Sequence, residues 1–308
     1  MNKLVLLTGF LGAGKTTFLN HLLEEYTGSR IGLIVNEFSQ TGVYGALIRK
    51  DIEGIRMKEL TSGSIFCACI KDSFVESLVG MSHMDCDYVF VEASGLADPS
   101  SIASILDQLK DLTDVTYDYL GAICLVDALN FVNHAGVLVS LQRQIRYSRA
   151  VILNKTDLAD DDELAADIEM IHKLNPSIPI YPATFANVSL KEILTSEAPA
   201  APAPEESTNT VTTRPTSITL VTKEAADPEK LDTFVRTIAC FTYRIKGFVK
   251  TTDGVKNVSL VGDECRIEAW DQPVDETRLV IISSAGIRIM SETLKAARSC
   301  YQNPIRLE

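Results

Sequence analysis

The stretch GFLGAGKT, residues 9–16, decides how the rest of the chain is read. It matches G-x-x-x-x-G-K-[ST] at every fixed position, after the apolar run Lys3–Thr8 and before a helical pattern over Lys15–Glu25. Each residue type has a task there. Glycines let the backbone curl until successive N–H groups point inward, and the following helix adds the positive end of its dipole. Such a cradle takes phosphate oxygens. Lys15 can bridge the β- and γ-phosphates of a nucleotide, and the Thr16 hydroxyl can ligate Mg²⁺.

Outward from this loop, β-rich runs alternate with helical patterns. Strands are expected at Arg30–Asn36, Gly54–Glu59, Asp87–Glu92, Leu120–Asp127, Ala150–Asn154 and Ile178–Ala183. Helices are expected at Asp72–Met81, Pro99–Leu109 and Asp161–Leu174. YVFVE and AVILN are nearly continuous apolar runs, the pattern of central parallel strands covered on both faces. The fold class this predicts is α/β: a phosphate-loop domain with a mostly parallel, doubly wound sheet, over residues 1–196. Residues 197–216, rich in Pro, Ala, Ser and Thr, read as a linker. Residues 217–308 predict a small α+β domain, with a helix capped by Asp227 and opened by Pro228. Its strands are expected at Tyr243–Thr251, Val255–Val261, Cys265–Trp270 and Arg278–Ser283, followed by a last helix near Ile287–Ser299.

Four further segments fit the nucleotide frame. VFVEASG puts Glu92 at the end of a buried strand, where a carboxylate needs a partner. Mg²⁺ or a water bound to it would supply one, and Gly95 would let a backbone N–H approach the γ-phosphate. VILNKTD ends another strand with Asn154, Lys155 and Asp157. A carboxylate here can accept from both guanine N1–H and N2–H₂, a bidentate pair that adenine cannot offer. Lys155 can lie across the base. Asp127, ending LVDA, is less specific and can simply finish its strand. VNEFSQTG ends the second strand in a polar loop suited to sensing a γ-phosphate, with Glu37 its only acidic residue.

Composition narrows the class. A net charge of −12 disfavours binding along a nucleic-acid backbone. Seven cysteines in 308 residues do not form a secreted disulfide framework. MNKLVLLTGFLGAG imitates a signal peptide, but cleavage there would destroy the phosphate loop. No apolar run approaches the ~20 residues that span a bilayer. A reduced, cytoplasmic protein with no membrane partner is expected.

The combination GFLGAGKTT, IVNEF, VFVEASGLADP and LNKTDL resembles the CobW-type GTPases, relatives of the GTPases that help insert nickel into urease and hydrogenase. TYRIKGFVK and the strand bearing Trp270 are similar to the CobW C-terminal domain. The resemblance implies GTP binding, slow hydrolysis to GDP, and the handling of metal ions or metallocofactors. Residue by residue, it implies phosphate contacts from Gly12, Ala13, Gly14, Lys15, Thr16 and Thr17. It implies guanine contacts from Asn154 and Asp157 and puts Glu37 near the switch; Lys15, Glu37 and Glu92 are the residues expected to serve hydrolysis.

One motif departs from the family. Its usual N-G-C-x-C-C is replaced after Glu59-Leu60 by TSGSIFCAC, so Ser64 and Phe66 stand for the first two cysteines, Cys67 matches the third and Cys69 is extra. GSIFCAC resembles CobW-like proteins from anaerobes linked to corrinoid-dependent methyl transfer. The four histidines, His21, His83, His134 and His172, have no ligand-like spacing and read as surface or packing residues. In an extended segment Cys67 and Cys69 would present both thiols on one side, suiting Zn²⁺, Cu⁺ or Co²⁺, with Glu37 as a third ligand. Two other readings of the pair stay open: buried packing cysteines, because Ile65, Phe66 and Ile70 are apolar, and a redox pair. The favoured function is a GTP-gated metallochaperone or cofactor-activation protein delivering zinc, cobalt or a corrinoid. Its partners would be a client metalloprotein or corrinoid protein and a second copy bound in a GTP-dependent way. A metal-independent nucleotide-gated scaffold is the alternative; a small-molecule kinase lacks a visible base for an acceptor hydroxyl.

Overall fold

The computed structural model describes residues 2–37, 55–61, 65–66, 71–114, 116–135, 138–200, 202–205, 215–262, 264–303 and 305–308. The chain divides into two compact units, Met1–Arg214 and Pro215–Glu308.

In the first unit β1 (Asn2–Gly9) runs through the phosphate loop into α1 (Lys15–Glu25). Then come β2 (Ile31–Glu37), β3 (Ile55–Thr61), α2 (Lys71–Ser82) and β4 (Tyr88–Glu92). A 3-10 turn (Pro99–Ser101) leads into α3 (Ile102–Leu109), followed by β5 (Tyr117–Asp127). Two short helices follow, α4 (Phe131–Ala135) and α5 (Val139–Arg146). The unit then adds β6 (Ala150–Asn154), α6 (Asp161–Leu174), β7 (Ile180–Ala183) and α7 (Leu190–Thr195). The sheet order is β3-β2-β4-β1-β5-β6-β7, and every pair is parallel, as the apolar runs predict. β2 lies on one side of β1 and β5 on the other, so the winding reverses at the strand that delivers the phosphate loop. In open parallel sheets that crevice is where ligands bind.

Strand alternation builds a core on each face. Val5 and Leu7 point to the face covered by Phe18, Leu19 and Leu22 of α1. Leu4 and Leu6 point to the face covered by Phe74 and Leu78 of α2 and Ile105 of α3. At the other edge Cys124 and Val126 pack with Phe131 of α4, Ile145 of α5 and Ile171 of α6. The α6 start is a capping box: Asp160 accepts from Glu163 N, and Glu163 accepts from Asp160 N.

The second unit holds β8 (Ser217–Thr222), α8 (Pro228–Ala239), β9 (Thr242–Thr251), β10 (Gly254–Val261), β11 (Glu264–Trp270), β12 (Thr277–Ser283), α9 (Arg288–Ala297) and β13 (Arg306–Leu307). Its antiparallel sheet has the order β11-β10-β9-β12-β8-β13. Asp227 caps α8 through Glu229 N with Pro228 in the first turn, and Leu231, Phe234, Val235 and Ile238 cover the sheet. β8 and β13 add an edge that the sequence pattern does not announce. Among the described residues, no helix is long and apolar enough to cross a membrane.

One buried acid in the first unit gives stability a pH dependence. Asp167 of α6 is 2% exposed, and its Oδ2 has no hydrogen-bond partner. Burial, with the charge of Asp127 nearby, pushes its carboxyl up to about 7. The folded state therefore binds this proton more tightly than the unfolded chain. Its stabilising effect is full below pH ~4 and is lost as pH rises through about 7. Asp167→Asn should raise the melting temperature more at pH 8 than at pH 5, by roughly 2–6 °C. Thermal melts at the two pH values check this; an equal shift at both would contradict it.

Candidate nucleotide site

The phosphate loop needs glycine for reasons visible in its neighbours. Gly9 has φ +129°, and a Cβ there would fall 2.2 Å from Leu125 O of β5. Gly14, the cap of α1, has φ +104°, and a Cβ there would fall 2.4 Å from Asn154 Nδ2. Lys15 is only 5% exposed, and its Nζ donates to Gly9 O (2.7 Å) and Phe10 O (3.0 Å). The ammonium is thus held across the loop that it belongs to.

β4 neighbours β1 with Glu92 beside Leu7. This brings Glu92, 1% exposed, to the start of α1, where it accepts from Thr16 Oγ1 at 3.0 Å. A hydroxyl and a carboxylate side by side at a helix N-terminus form a hard-oxygen pair suited to Mg²⁺. The chain then turns back over the loop. A Cβ on Gly95 would lie 2.7 Å from Leu11 N, so only glycine lets the backbone at this position approach the phosphate loop so closely. Asn36, ending β2, ties this region together. Its Oδ1 accepts from Ile65 N (3.0 Å) and Ser94 N (3.4 Å), and its Nδ2 donates to Leu60 O (3.2 Å).

The third part is the Asn154–Asp157 corner. Asn154 Nδ2 donates to Ala13 O (2.9 Å), and its Oδ1 accepts from Ala186 N (2.7 Å). Both ends of the carboxamide therefore hold protein backbone, so Asn154 is a brace as well as an expected base contact. Lys155 Nζ donates to Asp127 Oδ2 at 2.8 Å, giving Asp127 a task beyond finishing β5. Asp157 is exposed at the rim. Among the described residues the non-glycine positions with positive φ are Lys155 (65°), Phe185 (50°) and Ala186 (53°), all in this corner. Strained backbone clusters where a site dictates it. Phe185 is 74% exposed beside them.

Sequence reading missed residues 184–186, because Thr-Phe-Ala contains no glycine to mark a left-handed turn. It also missed Asn36. Two histidines read as packing residues lie at the site: His134 packs on Phe10 with ring centroids 4.8 Å apart, and His21 Nδ1 is 3.1 Å from Ala186 O. Burial lowers the His134 pKa, favouring the neutral ring. Glu37 closes β2, its backbone paired with Thr61 of β3. Cys67 and Cys69 lie outside the described residues; their neighbours Ile65 and Phe66 are buried in the core.

A phosphate loop, a carboxylate at the end of the adjacent strand and an Asn-Lys-x-Asp corner on a parallel sheet define a P-loop nucleotide-binding domain. The chain belongs to the CobW/HypB/UreG family: the family's nucleotide-binding domain matches residues 3–182, and the cobalamin synthesis protein CobW C-terminal domain matches residues 216–298. Zinc chaperone YjiA of Escherichia coli is 33% identical over 190 residues, 60% of this chain and 58% of that protein. Zinc-regulated GTPase metalloprotein activator 1 of Schizosaccharomyces pombe is 30% identical over 208 residues, 63% and 48% respectively. The chain thus spans about half to three-fifths of the length of these curated relatives. The crystal structure of Zn(II)-bound YjiA GTPase from E. coli aligns with 98% of this chain and 100% of its own, at 22% identity and a TM-score of 0.48.

Asn154→Ala would leave Ala13 O and Ala186 N buried without their partners. A loss of roughly 2–4 kcal/mol in unfolding free energy, with weaker GDP binding, is expected. Urea titration and GDP titration check it. Parental values in both would mean the brace carries no energy.

Proposed function

We propose that the chain is a GTP-hydrolysing metallochaperone whose switch loops deliver or release a metal ion or metallocofactor. The observation that carries this reading is the Lys155–Asp127 pair and exposed Asp157 standing at the same sheet edge as Lys15, Thr16 and Glu92. The proposed organisation is a GTPase domain over 1–196, a connecting segment over 197–216 and a C-terminal domain over 217–308, in the cytoplasm.

In this reading the loop N–H groups from Gly12 to Thr17 hold the phosphates. Lys15 leaves its two carbonyls to follow charge that develops between β- and γ-phosphate oxygens. Mg²⁺, when bound by Thr16 and Glu92, neutralises phosphate charge. Gly95 offers a backbone N–H to the γ-phosphate, and Glu37 lies where water or metal is handled. Asp157 accepts from guanine while the Lys155 stem covers the base, its head restrained by Asp127. GTP orders the switch segments and hydrolysis releases them, so cargo held in one state leaves in the other. The cargo site is assigned to Cys67, Cys69 and Glu37, an open thiolate site that can release its ion. Relatives named as zinc chaperones favour Zn²⁺ over Co²⁺ as cargo and a client metalloprotein as recipient. The burial of Ile65 and Phe66 favours a second reading, in which the two cysteines pack inward and the protein is a nucleotide-gated scaffold.

Competition binding should show GTP preferred over ATP, with Asp157→Ala costing about 3–6 kcal/mol if two hydrogen bonds to a charged group count 1.5–3 each. Equal affinity for the two nucleotides in the parent would end the GTPase reading. Zinc titration of the GTP-bound and GDP-bound forms separates the two readings of the cysteines. Binding that differs between the states and is lost in Cys67→Ser/Cys69→Ser supports the carrier. No zinc bound in either state leaves the scaffold.

A further inference from the structure

Two consecutive residues of α5 grip the segment that follows Glu92. Gln144, 1% exposed, donates from Nε2 to Gly95 O (3.2 Å) and Ala97 O (2.8 Å). Arg143 donates from Nη1 to Asp98 Oδ2 (2.9 Å) and Ser100 Oγ (3.2 Å). Its Nη2 donates to Glu205 Oε2 at 2.6 Å. Asp98 is fully buried and also caps the 3-10 turn through Ser100 N.

Glu205 belongs to the Pro/Ala-rich stretch that reads as a linker, yet it is fixed at more than one point. Its N–H donates to Ser100 O (3.4 Å), and two residues earlier Ala203 O accepts from Tyr147 Oη (2.9 Å). The path is continuous. The phosphate loop touches Gly95, Gln144 holds residues 95–97, and Arg143 joins Asp98 and Ser100 to Glu205. A guanidinium suits this position because its two terminal nitrogens serve two carboxylates at once; an ammonium is a single point of charge. A buried carboxylate such as Asp98 also strongly disfavours losing its cation.

We propose that Gln144 and Arg143 are positioning residues for GTP hydrolysis, acting through residues 95–100, and that Glu205 carries the nucleotide state of that loop into the connecting segment. The inference rests on the GTPase reading above. A displacement of Gly95 toward or away from a γ-phosphate moves Ala97 and Asp98, and Arg143 and Ser100 transmit the movement to Glu205.

The test uses the full chain loaded with GDP or with a non-hydrolysable GTP analogue. Hydrogen exchange is followed in the peptide containing Glu205, alongside nucleotide affinity, melting temperature and single-turnover hydrolysis. In the parent, exchange of this peptide should differ by about fivefold or more between the two nucleotides. Arg143→Ala should abolish the difference and slow single-turnover hydrolysis about tenfold, with GDP affinity within about twofold. Arg143→Lys should restore most of the hydrolysis rate through Asp98 while leaving the exchange difference lost. Glu205→Gln, at a half-exposed side chain, should lose the exchange difference with the fold intact, and keeps the test open if Arg143→Ala does not fold. Equal exchange with both nucleotides in a nucleotide-binding parent, or a difference surviving in Glu205→Gln, overturns the proposal alone. A chain that binds no guanine nucleotide overturns this proposal and the GTPase reading together. Binding without hydrolysis removes the GTPase reading and the positioning role of Gln144 and Arg143, while the exchange arm still decides the coupling to Glu205.

Discussion

The site depends first on one carboxamide. Asn154 donates to Ala13 O in the phosphate loop and accepts from Ala186 N after β7, so three separate loops are fixed by two hydrogen bonds. The bonds are buried, which makes them costly to leave unmade. Gly14 must be glycine because this side chain occupies the space where its Cβ would stand. The left-handed turn at Phe185 and Ala186 follows from the same constraint, since Ala186 N has to point at Asn154 Oδ1. Strain at two residues without glycine is thereby held in place by a bond made 32 positions away.

The same economy applies at β4. Glu92 and Lys15 are charged groups almost removed from solvent, a costly state unless each has a partner. Thr16 and the carbonyls of Gly9 and Phe10 supply partners within the protein. Those partners are the groups, or the neighbours of the groups, that a metal ion and a phosphate would engage. Under the proposed nucleotide binding, these groups are kept in place by hydrogen bonds that a ligand can exchange for its own. This is pre-organisation, and it lowers the ordering cost of binding.

How much of this was legible in the sequence follows from the kind of signal each part leaves. The phosphate loop, the parallel sheet and the Asn154–Asp157 corner were legible because their chemistry demands fixed residue types at fixed spacing, or long apolar runs. Asn36, Gln144 and Arg143 were not. Each acts through a backbone or side-chain partner 24 or more positions away, and a polar residue at a strand or helix end leaves no local pattern. α4 and α7 were missed because helices of five and six residues offer too few turns for a periodicity to repeat. β13, two residues long, has no alternation to read. β8 follows a Thr-rich stretch whose β-branched residues blur where the strand begins.

The linker is the instructive case, because composition was a sound guide to its local chemistry. Pro, Ala, Ser and Thr give a segment little apolar surface to bury, so it cannot dock through a hydrophobic face. Residues 203–205 dock instead through a carboxylate, a backbone N–H and a carbonyl, against groups that Asp98 and α5 already hold rigid. The carboxylate part of this attachment can be released by moving one guanidinium, whereas a docked apolar face would have to be desolvated and resolvated. A polar tether is therefore better suited than a hydrophobic one to the nucleotide coupling proposed for this segment. The paucity of apolar residues that marks this stretch as a linker is what permits that kind of attachment.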